Sequence, residues 1–136
     1  MVLDKEGCGS SATALHLETE LDARLREVWG AEGKALVIEP ELDVWMWGAE
    51  NSLQTLLLWN KAEPIRQWLS TRGFVFDDHH KPLRPKEALE LVLKELNTPR
   101  SSALYEELAG RFSLRRCSDP AFRRLRKTLQ TWFPVS

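Results

Sequence analysis

Cysteine is scarce: Cys8 and Cys117 are the only two among 136 residues. Neither belongs to a C-x-x-C pair, so the sequence offers no disulfide framework and no zinc-ligand spacing, and a reduced, cytoplasmic setting is expected. Long apolar runs are missing too. A bilayer span needs about 20 consecutive apolar residues, whereas the densest patch here is Leu56-Leu57-Leu58-Trp59, so no membrane partner is expected. A secretory leader is not expected either, because Asp4 and Glu6 stand where a basic region and an apolar core would be. Neither G-x-G-x-x-G nor a G-K-S/T stretch occurs, which removes the dinucleotide fingerprint and the phosphate loop. The chain shows no internal repeat and no low-complexity tract.

What remains is ordinary for a soluble globular protein, with 43% hydrophobic and 29% charged residues. At this length the chain can bury a real core. The net charge of −1 conceals an asymmetry: residues 1–60 hold 11 acids and 4 bases, and residues 61–136 hold 9 acids and 15 bases. Such halves suit a metal site beside a polyanion track. They equally suit two faces that attract each other, within the fold, between copies of a homo-oligomer, or between this chain and other subunits.

Periodicity gives the outline. Val2-Leu3 is short but strand-like, and Ala35-Leu36-Val37-Ile38 is a buried strand, apolar and β-branched. Between them Leu17, Leu21, Leu25 and Val28 recur at helical spacing, predicting an amphipathic helix over 14–29 with that stripe facing the core. Strand, helix and strand make the seed of a parallel sheet. Pro40 is placed as the first residue of a further helix, with Glu41 and Asp43 in its first turn and Leu42, Trp45 and Met46 on one face. More helices are predicted over 51–59, 63–72, Pro85–Leu96 and 102–111, with an irregular connection over 74–84. The final helix has Asp119 as N-cap and Pro120 as first residue, with Phe122, Leu125, Leu129, Trp132 and Phe133 on its apolar face. The expected architecture is α/β: a small, mainly parallel sheet with flanking helices and a largely helical C-terminal half. The expected division is a core over 1–60 and a helical region over 61–136 packed on it as one globular unit.

Three constellations carry candidate chemistry. In "VLDKEGCG", Asp4 and Glu6 lie two apart at a strand end, so both carboxylates project to one side and can share a hard cation such as Mg²⁺. Gly7 and Gly9 would let backbone N–H groups approach a phosphate. The same spacing equally describes an acidic turn that only keeps the terminus solvated. In "VIEPELDVWMW", Glu39, Glu41 and Asp43 follow a buried strand whose end lies on the same sheet edge as that of Val2-Leu3, so Asp4, Glu6, Glu39 and Glu41 are expected to converge. Helix capping explains those acids equally well, each being worth about 0.3–1 kcal/mol at a helix start. The third constellation is basic: Arg115 and Arg116 precede a helix whose Arg123, Arg126 and Lys127 share a polar face that would contact phosphates. A solvated face is the plainer account. His79 and His80 are expected in a solvated loop, and Ser10 and Ser11 as helix caps rather than nucleophiles.

The stretches "VLDKEGCG", "VIEPELDVWMW", "KPLRPKEALE" and "RSSALYEELAGRFSLRRCSDPAFRRLRKTLQTWF" resemble a family of Toprim-like bacterial proteins associated with methylation-linked anti-phage defence operons. The resemblance implies a Toprim-like sheet, Mg²⁺-dependent handling of phosphodiester bonds, nucleic acid as ligand and other defence-system subunits as partners. Asp4-Lys5-Glu6 would match the family's Asp-x-Asp at a strand end, with Glu for the second Asp, and Glu41 an acidic position of the later segment, where Asp43 replaces a Glu. The family's first-strand Glu, its general acid or base, has no counterpart ahead of Met1, so either an N-terminally shortened member or a start placed too late is expected, with no assigned catalytic residue. The resemblance therefore leaves two expectations: a metal-dependent nuclease-like protein, or a non-catalytic interaction subunit of a defence complex.

Overall fold

The computed structural model describes residues 1–48, 50–111 and 117–134. It is a mixed α/β structure with a two-stranded parallel sheet and helices beside it. Its residues form two compact units, Met1–Leu42 with Ser118–Ser136, and Asp43–Cys117. The division expected near residue 60 is not where the chain parts. Trp47, Leu53 and Leu57 pack in one cluster with Ile65, Trp68 and Leu89, while the last helix returns to the first forty residues.

In the first unit β1 (Val2–Asp4) and β2 (Leu36–Ile38) pair in parallel, Val2 opposite Leu36 and Asp4 opposite Ile38. Helix α1 (Ala14–Trp29) connects them, so the strand–helix–strand unit forms as the periodicity predicts. Thr13, not Ser10 or Ser11, caps α1: its hydroxyl accepts the His16 N–H at 3.3 Å, while Ser10 accepts the Ala12 N–H at 3.2 Å.

The face that α1 buries differs from the expected leucine stripe. Ala14 and Leu17 are buried with Val37, but so are Glu18 and Asp22, whereas Val28 is 77% exposed. The sheet edge explains this. β1 occupies one side of β2, leaving the N–H groups of Ala35 and Val37 on the other side without a strand partner. Two residues along a strand cover about 6.6 Å and four along a helix about 6 Å, so carboxylates at i and i+4 match alternate N–H groups. Glu18 accepts the Val37 N–H at 3.0 Å and Asp22 the Ala35 N–H at 2.6 Å. An apolar pair here would strand two buried donors, each costing about 1–3 kcal/mol. Burial pushes the Asp22 carboxyl up, but its hydrogen bonds with Lys34 and the Ala35 N–H and the charges of Lys34 and Arg26 hold it below its ordinary value.

The predicted helix at Pro40 is replaced by a bend and a 3-10 helix over Leu42–Gly48. With about three residues per turn, Asp43 stacks with Met46 and Val44 with Trp47, and these four are buried while Leu42 is 41% exposed. The Trp47 indole N–H donates to the Pro85 carbonyl at 3.1 Å. The second unit continues with α2 (Glu50–Leu56), α3 (Ile65–Ser70), α4 (Pro85–Glu95) and α5 (Ser102–Arg111). The stripe of α4 forms as predicted, Ala88, Leu89, Val92 and Leu93 being buried and Leu96 partly so.

Helix α6 (Pro120–Trp132) belongs to the first unit and packs on β2. Asp119 caps it, accepting the N–H groups of Ala121 and Phe122 at 3.0 and 3.1 Å. Its buried residue is Ala121, while Leu129 and Trp132, expected on a core-facing stripe, are 44% and 43% exposed. A small residue lets the helix approach the sheet, and Arg124 turns inward. Its guanidinium donates to both Glu18 oxygens at 3.0 Å and to the Val37 carbonyl at 3.3 Å. Glu18 and Arg124 thus join α1, β2 and α6, and the acidic and basic halves of the sequence attract each other inside the fold at this point. Among the described residues, no helix is long and apolar enough to cross a membrane.

Candidate functional site

The parallel register places the carboxyl ends of β1 and β2 side by side on one sheet edge. Pairing extends beyond the strands: the Lys5 N–H donates to Ile38 at 2.7 Å and the Glu6 N–H to Pro40 at 2.8 Å. Asp4 and Glu6 both line a cavity of about 450 Å³, whose walls include Leu3, Cys8, Ile38 and Leu42. Glu39 is exposed and Glu41 half-buried, and neither lines that cavity. Asp4 has a structural partner, since one oxygen accepts the Leu42 N–H at 2.9 Å and so fixes the start of the 3-10 helix. Among the described residues no three His, Cys, Asp or Glu side chains are grouped to hold a metal ion.

Gly7 and Gly9 have φ of 77° and 74°, a left-handed conformation that disfavours any side chain. That conformation accounts for both glycines, because a Cβ at either would meet nothing within 4 Å. His79 and His80 are exposed in a turn held by Asp77, whose carboxylate accepts the N–H groups of His79 and Lys81 at 2.9 and 2.7 Å.

The basic constellation divides. Arg115 and Arg116 lie outside the described residues. Arg123, Arg126 and Lys127, at i, i+3 and i+4, are exposed on α6, and none has an ion-pair partner among the described residues. No family model, curated protein or solved structure matches this chain. The side chains themselves therefore decide what the surface can do. Arg123, Arg126 and Lys127 thus form one cationic helical face, beside a fourth cation, Arg124, that Glu18 neutralises.

A polar network in the second unit has no local signature. Asp43 is 6% exposed and accepts the Tyr105 hydroxyl at 2.6 Å, while Arg100 donates to Tyr105 at 2.8 Å and to Glu90 at 2.7 Å. Arg100 also reaches both Asp43 oxygens at 3.5 Å. Burial, then the hydrogen bond to Asp43 and its charge, push the Tyr105 hydroxyl from its ordinary 10.0 to about 12, against the opposing charge of Arg100. Tyr105 is the only tyrosine, so tyrosinate absorbance reports it alone. A folded-state pKa above the unfolded one means stability present in full below pH 10.0 and lost as pH rises through about 12. Alkaline titration of the folded protein should give a midpoint near 12, returning towards 10.0 in Asp43→Ala. A wild-type midpoint at 10.0 would show that Asp43 does not hold this hydroxyl.

Proposed function

We propose that this chain is a nucleic-acid-binding protein of the Toprim-like kind its sequence resembles, working with other subunits of a bacterial anti-phage defence system. The observation that supports it is the exposed face of α6, where Arg123, Arg126 and Lys127 are free of ion pairs among the described residues. Phosphate contacts of this kind are electrostatic and independent of base sequence, so they position a strand rather than select one.

The test is affinity for duplex and single-stranded oligonucleotides across a salt series. Each phosphate contact contributes about 0.9 to the salt slope in duplex DNA and about 0.7 in single strands. Arg123→Ala with Arg126→Ala should flatten the duplex slope by about 1.8 and weaken all sequences alike. A wild-type affinity that does not change with salt excludes phosphate docking by α6.

A second reading, a non-catalytic subunit acting through protein contacts, is favoured by the outer edge of β1. That edge has no strand partner among the described residues, and Met1 and Val2 are each 54% exposed there. Unpaired strand edges are where another chain can add. A flat salt response would favour this reading over the first.

A further inference from the structure

We propose that the first unit holds a single nucleotide in a cleft between the end of α1 and one face of α6. The proposal rests on the nucleic-acid reading and deepens it, by separating a convex phosphate track from a concave site for one base and its phosphate.

The cleft has a volume of about 680 Å³, within the range of about 300–1,000 Å³ typical of small-molecule sites. From α6 it takes Arg124, Lys127, Thr128, Thr131 and Trp132, which follow the i, i+3, i+4, i+7, i+8 spacing of one helical face. From the other wall come Arg26 and Lys34, with the glycine-containing turn that ends α1. Four cations therefore line it against one carboxylate, Glu18.

The ion pairs divide these cations by role. Arg124 is fixed by Glu18 and Lys34 by Asp22, so these two form the rigid floor. Lys127 makes no ion pair among the described residues, and Arg26 makes no direct one, so both ammonium and guanidinium are available to an anion. The Thr131 hydroxyl donates to the Lys127 carbonyl at 2.9 Å, which braces this turn of α6, whereas the Thr128 hydroxyl makes no hydrogen bond among the described residues. Trp132, 43% exposed, presents its indole at the same cleft. Cations for a phosphate, a hydroxyl for a sugar or base edge and a planar aromatic face for stacking are together the chemistry of a nucleotide. Lys127 belongs to both surfaces, but Arg123 and Arg126 do not line the cleft and Arg26 and Trp132 lie outside the track, so each surface can be perturbed without the other.

The nucleotide can come as a free mononucleotide or as one unit of a single strand. Tryptophan fluorescence should therefore be followed while adenosine monophosphate, adenosine and a short oligothymidine are titrated into the whole chain. The expected result is saturable quenching by the monophosphate or the oligonucleotide, weaker with adenosine, and lost as a signal in Trp132→Phe. Trp132→Ala, followed by calorimetry because its own signal is gone, should weaken binding about 5- to 150-fold, the range that loss of base–aromatic stacking gives. Arg26→Gln should weaken the monophosphate towards adenosine and leave adenosine itself unchanged. Tighter binding of the oligonucleotide identifies a strand as the source, and tighter binding of the monophosphate a free nucleotide. No saturable quenching by either probe, or quenching unchanged in Trp132→Phe, overturns the proposal. Salt-dependent duplex binding surviving that failure would leave the α6 phosphate track intact. Monophosphate binding without salt-dependent duplex binding would instead remove the track and keep the cleft.

Discussion

Glu18→Ala is expected to lower the stability of the first unit by about 3 kcal/mol, because two groups lose their partner at once. The Glu18 side chain is 7% exposed, accepts the Val37 N–H and receives both arms of the Arg124 guanidinium. Removing one member of a buried ion pair typically costs about 3–5 kcal/mol. The lower end applies here, since the Arg124 side chain is 31% exposed and water can replace part of what it loses. Glu18→Gln keeps an acceptor for Val37 and should cost roughly half as much. In Glu18→Ala with Arg124→Met the stranded charge is gone, so part of the loss should return. Urea unfolding followed by circular dichroism measures all three. A single-variant loss below about 1 kcal/mol would mean that the clasp contributes no more than a surface ion pair.

The second large effect is expected at Trp68, in the other unit. Trp68 is 1% exposed at the centre of the cluster formed by α2, α3, α4 and α5. Trp59 meets it edge to face, ring centroids 5.2 Å apart at 75°, and the Arg72 guanidinium lies 3.7 Å from its ring centre. Trp68→Ala removes a large buried side chain from a set of short helices that cannot easily close the gap, and such truncations cost about 3–5 kcal/mol. Trp68→Phe retains an aromatic face for Trp59 and Arg72 and should cost about 1–2 kcal/mol. Thermal unfolding of the two variants decides the matter. Equal losses in both would show that ring size, not the buried aromatic contact, sets the stability.

The elements that carry explicit start signals were legible from residues alone. Pro85 opens α4 and its stripe is buried; Asp119 and Pro120 open α6; the β-branched run at Leu36–Ile38 is a strand. Asp4 and Glu6 do line one cavity, but β1 ends at Asp4 and Glu6 lies in the turn beyond it, so a turn and not strand alternation places the second carboxylate. What stayed hidden depended on partners distant in sequence. Glu18 and Asp22 look like surface acids of an amphipathic helix until β2 supplies the N–H groups they must accept. The contiguous arc Leu17, Glu18, Leu21, Asp22 and Leu25 is the available signal, two acids set among leucines on one helical face. Arg124 meets Val37 across 87 positions and Tyr105 meets Asp43 across 62, separations at which periodicity is silent. The 3-10 helix at Leu42–Gly48 was hidden for a different reason: Pro40 reads as a helix start, and nothing local distinguishes about three residues per turn from about 3.6.

The carboxylates along β2 have one more consequence. A parallel pair of strands ordinarily has two open sides, and growth on either would be equally easy. Here Glu18, Asp22 and Arg124 have taken the hydrogen-bonding groups of Ala35 and Val37, so no incoming chain finds a donor row on that flank. The sheet is thereby given a direction: whatever joins it, from this molecule or another, joins at β1.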